Sequence, residues 1–203
     1  KNLVFEIGAS KAGDIDYLSS ILKPHIGVIT SIGHSHLEKL KNLDGVLRVK
    51  SELLKNIKKN GILIVPSGNN KYLYFWKKYR KDLKILTQNI RENADAIADS
   101  IKLNESESKY KIFNVNKTKS IEIKTNLIGE HNIRNVLSAY LVVDSLNESK
   151  TYFRNNLIFN NKNLSRQKKY KWINSSTLID DSYNANPDSV KKGVDYLSKI
   201  AKR

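Results

Sequence analysis

The spacing of apolar positions changes several times along the chain. Leu3-Val-Phe-Glu-Ile7 is a compact apolar run stopped by Gly8, and it reads as a strand. Ile15, Leu18, Ile21 and Leu22 then recur at helical spacing until Lys23-Pro24. Ile26-Gly-Val-Ile-Thr-Ser-Ile32 is a second strand of the buried type, residues 43–57 form an amphipathic helix closed by Lys59-Asn-Gly61, and Ile62-Leu-Ile-Val65 is a third strand. Strands alternating with helices over short connections predict a parallel sheet covered by helices. Between residues 83 and 127 the helical period fades, and segments 97–103, 110–115 and 120–124 predict strands of a small antiparallel or mixed addition. Gly129 precedes a helix over 131–146. The asparagine-rich stretch 155–165 reads as a linker, 169–173 and 176–180 as strands, and Pro187 opens a last helix carried by Val190, Val194 and Leu197.

The expected fold class is therefore α/β: a mostly parallel sheet with flanking helices over residues 1–160, and the start of a second α/β domain over 161–203, with the boundary near Arg166. A chain of 203 residues with 39% apolar content suits a folded core. The absence of cysteine excludes disulfide frameworks, thiolate metal sites and cysteine nucleophiles, and makes the cytoplasm the default compartment. The longest apolar stretches, 26–32 and 139–143, fall far short of the roughly 20 residues that span a bilayer, so no membrane insertion is expected. The chain opens without methionine and stops within a helical pattern, so it reads as a fragment cut at both ends.

A formal net charge of +16 raises nucleic acid as a partner, but that reading needs clustered cations. Here the cations are spread over surface helices (Lys77, Lys78, Arg80, Lys81) and strands (Lys109, Lys111, Lys117, Lys119), mixed with many asparagines. A general Lys/Asn/Ile bias with solvated cations is the reading adopted, and no nucleic-acid partner is expected. A non-enzymatic basic binding module remains the alternative from another class.

Several polar groups gather where strands end, the place at which open α/β sheets bind ligands. Glu6 closes the first apolar run and could serve a hard cation such as Mg²⁺, or simply face water. His34 and His36 follow the second strand; with no thiolate or further histidine cluster the pair is a poor zinc set, and His36 alone could equally be a loop residue. Lys50 sits at the centre of the stripe formed by Leu43, Val46, Leu47, Leu53, Leu54 and Ile57, where it either snorkels to the surface or acts as a buried, readily deprotonated amine. Asn132 and Asn135 lie three apart near a helix start; capping explains one of them, and carboxamides suit an adenine edge. Asp180-Asp-Ser-Tyr-Asn-Ala-Asn-Pro187 runs from a strand end into a helix capped by Asn186, which leaves Asp180, Asp181, Tyr183 and Asn184 without a local structural role.

In this order the segments resemble the Mur ligases, and within them the branch that adds D-alanyl-D-alanine. Glu6-Ile-Gly-Ala-Ser-Lys-Ala-Gly-Asp-Ile15 is similar to the family's E-x-G and G-[ED]-I elements, residues 29–38 to its I-T-N-I-x-x-x-H-L-E segment, Val49-Lys-Ser-Glu52 to its lysine segment, and residues 129–135 to G-x-H-N-x-x-N. Asp181-Ser-Tyr-Asn-Ala-Asn-Pro187 matches D-S-Y-N-A-N-P, where relatives adding diaminopimelate or lysine, and folylpolyglutamate synthases, typically carry a D-Y-[AG]-H-x-P type motif. Ser31 stands where asparagine is usual, Lys39, Lys41 and Asn42 replace a small glycine-rich turn, and the phosphate loop expected upstream is absent.

The resemblance implies an ATP- and Mg²⁺-dependent ligase joining D-alanyl-D-alanine to UDP-N-acetylmuramoyl-tripeptide through an acyl phosphate; another Mur-type or folylpolyglutamate-type amide ligase is the near alternative. It further implies that Glu6, His36 and a carbamylated Lys50 hold the metal, and that His131 and Asn132, with Asn135, approach the adenine. Arg166 would reach the phosphates and act with Lys50 in catalysis, and Asp181 would hold the ribose with Tyr183 and Asn184 beside it.

Overall fold

The computed structural model describes residues 2–33, 40–91, 93–104, 106–115, 120–158, 168–180, 182 and 187–200. A six-stranded sheet forms its centre, with strands in sequence order: β1 (Ile26–Val28), β2 (Ile62–Pro66), β3 (Lys84–Ile90), β4 (Ala96–Leu103), β5 (Ser108–Asn114) and β6 (Ile121–Thr125). The first four pair in parallel and the last two pairings are antiparallel. The helices are α1 (Asp14–Leu22), α2 (Leu43–Ser51), α3 (Leu53–Asn56), α4 (Asn70–Tyr79), α5 (Glu130–Ser145) and α6 (Lys150–Asn155). A two-stranded antiparallel ribbon, β7 (Lys168–Lys171) with β8 (Thr177–Asp180), precedes α7 (Pro187–Ile200).

Two apolar cores lie on opposite faces of the sheet. Leu63 and Val65 of β2 join Ile15, Val46, Leu47, Leu53, Leu54, Ile57 and Trp76 from α1 to α4. Ile64, between them, turns to the other face and joins Ala96, Ala98, Ile112 and Ile123 under Ile133, Leu137, Tyr140 and Leu141 of α5. Alternation along β2 thus sends one strand into both cores. Gly27 lets α3 approach β1: a Cβ there would stand 2.6 Å from Ile57 Cδ1. In β5 the alternation is regular, with Ser108, Tyr110, Ile112 and Asn114 buried and Lys109, Lys111 and Phe113 exposed, because helices cover only one face of the antiparallel half.

The expected strand at Leu3-Val-Phe-Glu-Ile7 is not formed. Among the described residues no strand pairs with it, and Leu3 and Val4 are 76% and 92% exposed, so an apolar run without a ladder partner does not become a strand. The anticipated helix over 43–57 divides at Glu52, where the bonding tightens: Glu52 N–H donates to Val49 O and Lys55 N–H to Glu52 O, both at 3.1 Å. The Glu52 carboxylate meanwhile accepts from Gly13 N–H (2.8 Å) and Asp16 N–H (3.2 Å) at the start of α1, where a helix N-terminus favours an anion. Asn42, a departure from the family pattern, caps α2 by accepting from Gly45 N–H at 2.9 Å.

β3 and α6 escaped the periodicity reading. β3 ends in two buried amides, Gln88 and Asn89, and so lacks a continuous apolar signature. It pairs in parallel with β4 across only residues 91–95, a connection that ordinarily needs a dozen or more. The shortcut works because only three residue pairs are in register and because Asp95 anchors the return: its carboxylate accepts from Thr87 N–H (2.7 Å) and Thr87 Oγ1 (2.8 Å).

Trp76 ties α4 to the helical layer: it is fully buried and its indole N–H donates to Ser51 Oγ at 2.7 Å. Trp76→Ala should lower the unfolding free energy by about 3–5 kcal/mol through the cavity it leaves. Ser51→Ala, which strands a buried donor, should cost about 1–3 kcal/mol. Urea denaturation of the two variants checks the order and the size of both effects.

Candidate functional site

The carboxyl edge of the parallel strands collects the polar groups. Beyond β1, the carbonyl of Ser31 accepts a hydrogen bond from Lys50 Nζ at 2.7 Å. Lys50 projects from α2, whose neighbouring positions Val46, Leu47, Val49 and Ser51 are buried, and is itself half-buried. Burial pushes its ammonium below the ordinary lysine range. The lysine is held against a backbone carbonyl at the sheet edge, where burial acts against its charged form.

Across the same edge lies the start of α5. Gly129 precedes it with φ 95°, a conformation suited to glycine, and a Cβ at Gly129 would come within 3.0 Å of the His131 ring. Asn132 Nδ2 donates to Ile128 O at 2.8 Å, which fixes its carboxamide and leaves Oδ1 as the acceptor end. His131 and Asn132 are half-buried, whereas Asn135 is exposed. The two asparagines thus differ: one is locked to the entering loop and the other faces outward.

Glu6 lies in the irregular segment before α1 and is exposed; it does not close a strand, contrary to expectation, because that segment carries no ladder. Its neighbour Ile7 packs against the core shared by α1 to α4. His36, Arg166, Asp181, Tyr183 and Asn184 lie outside the described residues, as do His34 and Asn186. Among the described residues no three acidic or histidine side chains gather to hold a metal ion.

The structure adds residues that the sequence reading passed over. Arg134 Nη1 donates to Asn89 Oδ1 at 2.7 Å, and Asn89 Nδ2 donates to Ser67 Oγ at 2.9 Å. Asn89 lies within β3 beside Gln88, and no break in the apolar pattern marks it out in the sequence. The role of Ser31, played by its backbone, left no signal either.

A family model described as the Mur ligase middle domain matches residues 1–143. The UDP-N-acetylmuramoyl-tripeptide–D-alanyl-D-alanine ligase of Buchnera aphidicola subsp. Baizongia pistaciae is 34% identical over 99% of this chain and 43% of its own length. The ligase of the same description from Haemophilus influenzae is 28% identical over 96% of this chain and 41% of its own. A crystal structure of MurF from Acinetobacter baumannii superposes with a TM-score of 0.87 at 28% identity, covering 98% of this chain and 42% of that one. The chain thus spans less than half the length of these relatives.

The buried setting of Lys50 has a signature in stability. A lysine whose folded pKa lies below its ordinary 10.5 releases its proton earlier in the folded state, so folded stability rises with pH in the window between the folded value and 10.5, where the unfolded chain binds more protons. Lys50→Met is expected to flatten that rise. Denaturation midpoints of parent and variant, measured at successive pH values up to 10.5, give the comparison; parallel curves would contradict the desolvated amine.

Proposed function

This chain belongs to the Mur ligase family, and on that premise we propose that it serves an ATP-dependent ligase adding D-alanyl-D-alanine to UDP-N-acetylmuramoyl-tripeptide in peptidoglycan precursor synthesis, in the cytoplasm. The substrates follow the relatives named above and the Asp181-Ser-Tyr-Asn-Ala-Asn-Pro187 motif. No described helix is long and apolar enough to cross a membrane, which suits an enzyme of soluble precursors.

The observation that carries the chemistry is Lys50, desolvated and fixed at the sheet edge. A bare ammonium there would repel a divalent cation. A neutral amine can instead take up carbon dioxide, release a proton and become a carbamate, which turns a cation into an oxygen donor. So modified, Lys50 would hold Mg²⁺, with Glu6 and His36 as the further ligands that the resemblance implies, and the ion when bound would supply charge neutralisation for phosphoryl transfer.

The remaining roles follow the family resemblance, with which the residues' chemistry agrees. Asn132, its Nδ2 already engaged, offers Oδ1 to the exocyclic amine of adenine, with His131 beside it and Asn135 at the outer side. By the family resemblance, Arg166 would supply a cation to the phosphates and Asp181 would accept from the ribose hydroxyls, with Tyr183 and Asn184 as further candidates for the nucleotide. The tripeptide carboxylate takes the γ-phosphoryl group and ADP leaves; the amine of the dipeptide then attacks the acyl carbonyl, expelling phosphate and losing a proton.

Two measurements on the ligase test this. Phosphate release from ATP should require UDP-tripeptide and D-alanyl-D-alanine together; release supported instead by L-alanine, diaminopimelate, lysine or glutamate would reassign the substrate. Lys50→Ala should lose activity by about 100-fold or more, with partial recovery in added formate or acetate, since a small carboxylate can stand in for the carbamate. A variant that keeps parental activity, or an unmodified Lys50 in an active complex, would remove the carbamate.

A further inference from the structure

We propose that Arg134 is a positioning residue for nucleotide binding, acting through the relay Arg134–Asn89–Ser67 that fastens the start of α5 to the carboxyl edge of the sheet; this rests on the reading of α5 as the element that meets the base. Arg134 is half-buried and follows Ile133, which enters the core. Its guanidinium donates to Asn89 Oδ1 at 2.7 Å. Asn89 is 1% exposed, one residue from the end of β3, and the same oxygen accepts from Ile90 N–H at 2.8 Å. Its amide donates to Ser67 Oγ at 2.9 Å. Ser67 follows β2 directly, and its N–H donates to Gln88 O at 3.1 Å, so both strand ends and the helix share one set of hydrogen bonds.

The geometry explains why a charge is used here. The apolar contacts of α5 lie on its inner face and resist separation from the sheet, but they are non-directional and resist sliding or rotation poorly. A charge-assisted hydrogen bond to a carboxamide that is itself held from two sides fixes the helix in rotation about its axis. Asn132 sits two residues earlier and His131 three, so an error in that rotation would carry over directly to Asn132 Oδ1. The relay controls where the base-reading groups stand without touching the base.

The test is a steady-state comparison on the ligase. Arg134→Gln is expected to raise KM for ATP about tenfold, equivalent to about 1.4 kcal/mol, with kcat within about twofold and KM for the UDP-tripeptide unchanged. Asn89→Ala, at a side chain shielded from ligand, should give the same selective shift, and the double variant should be no worse than the more damaging single one. Arg134→Lys should recover part of the loss. Ser67→Ala, which removes only the far bond, should produce a smaller shift in the same direction and decides the case if Arg134→Gln does not fold. An unchanged KM for ATP in Arg134→Gln or, failing its folding, in Ser67→Ala overturns the inference, as does strict additivity of Arg134→Gln and Asn89→Ala. A parent protein with no ATP-dependent ligation would instead strike the ligase reading, and this inference with it.

Discussion

The structure depends on one constraint, the burial of β2 on both faces. Leu63, Ile64 and Val65 are all fully buried, and since adjacent side chains point to opposite sides, a helical layer is needed on each. α1 to α4 meet Leu63 and Val65, and α5 meets Ile64. Parallel pairing on either side of β2 then follows from the crossovers: residues 29–61, which include α2 and α3, return the chain from β1 to β2, and α4 returns it from β2 to β3. Because those strands run the same way, their carboxyl ends share one edge, and whatever follows each strand is delivered there. Ser31, Ser67 and Asn89 reach that edge for this reason alone.

At that edge the packing admits polar groups that the interior could not hold without partners, and three of them are tied down, whereas the buried Gln88 carboxamide makes no side-chain hydrogen bond among the described residues. Asn89 bonds Arg134, Ser67 and Ile90 N–H; Asn132 bonds Ile128 O; Lys50 bonds Ser31 O. Buried polar groups cost least when their partners are preorganised, and groups so held are ready to meet a ligand without reordering. The depressed pKa of Lys50 belongs to the same logic, since its partner is a neutral carbonyl and burial therefore acts against its charge.

Most of the fold was legible because periodicity reports burial. The strands over 62–65, 97–103, 110–115 and 120–124 and the helix over 131–146 were anticipated within a few residues. β3 was missed where burial is achieved with amides, and α6 where a short helix, capped by Ser149 accepting from Tyr152 N–H, sits beside a linker-like composition. The expected strand at 3–7 failed in the opposite sense: its pattern is correct for a strand, but a strand is a property of a pair. In the candidate site, Lys50 was legible because a cation in an apolar stripe breaks the pattern. Arg134 was not, since an arginine beside an apolar stripe is ordinary on any helix, and only the meeting with Asn89, 45 positions away, distinguishes it.

The charge excess also has its place in this architecture. The face of β4 to β6 that no helix covers is built from long polar side chains, and its register sets Lys102, Lys109 and Lys124 opposite one another. Like charges in such a row repel, but Glu107 bridges Lys109 (2.8 Å) and Lys124 (3.1 Å), and those lysines hold its carboxyl below the usual range. Exposed pairs of this kind add little stability, but they offset part of the repulsion among the lysines on the outer face of the sheet. A bias toward lysine can thus accumulate on this face while the inner positions Tyr110, Ile112 and Ile123 keep the core apolar, and a net charge of +16 is compatible with the fold.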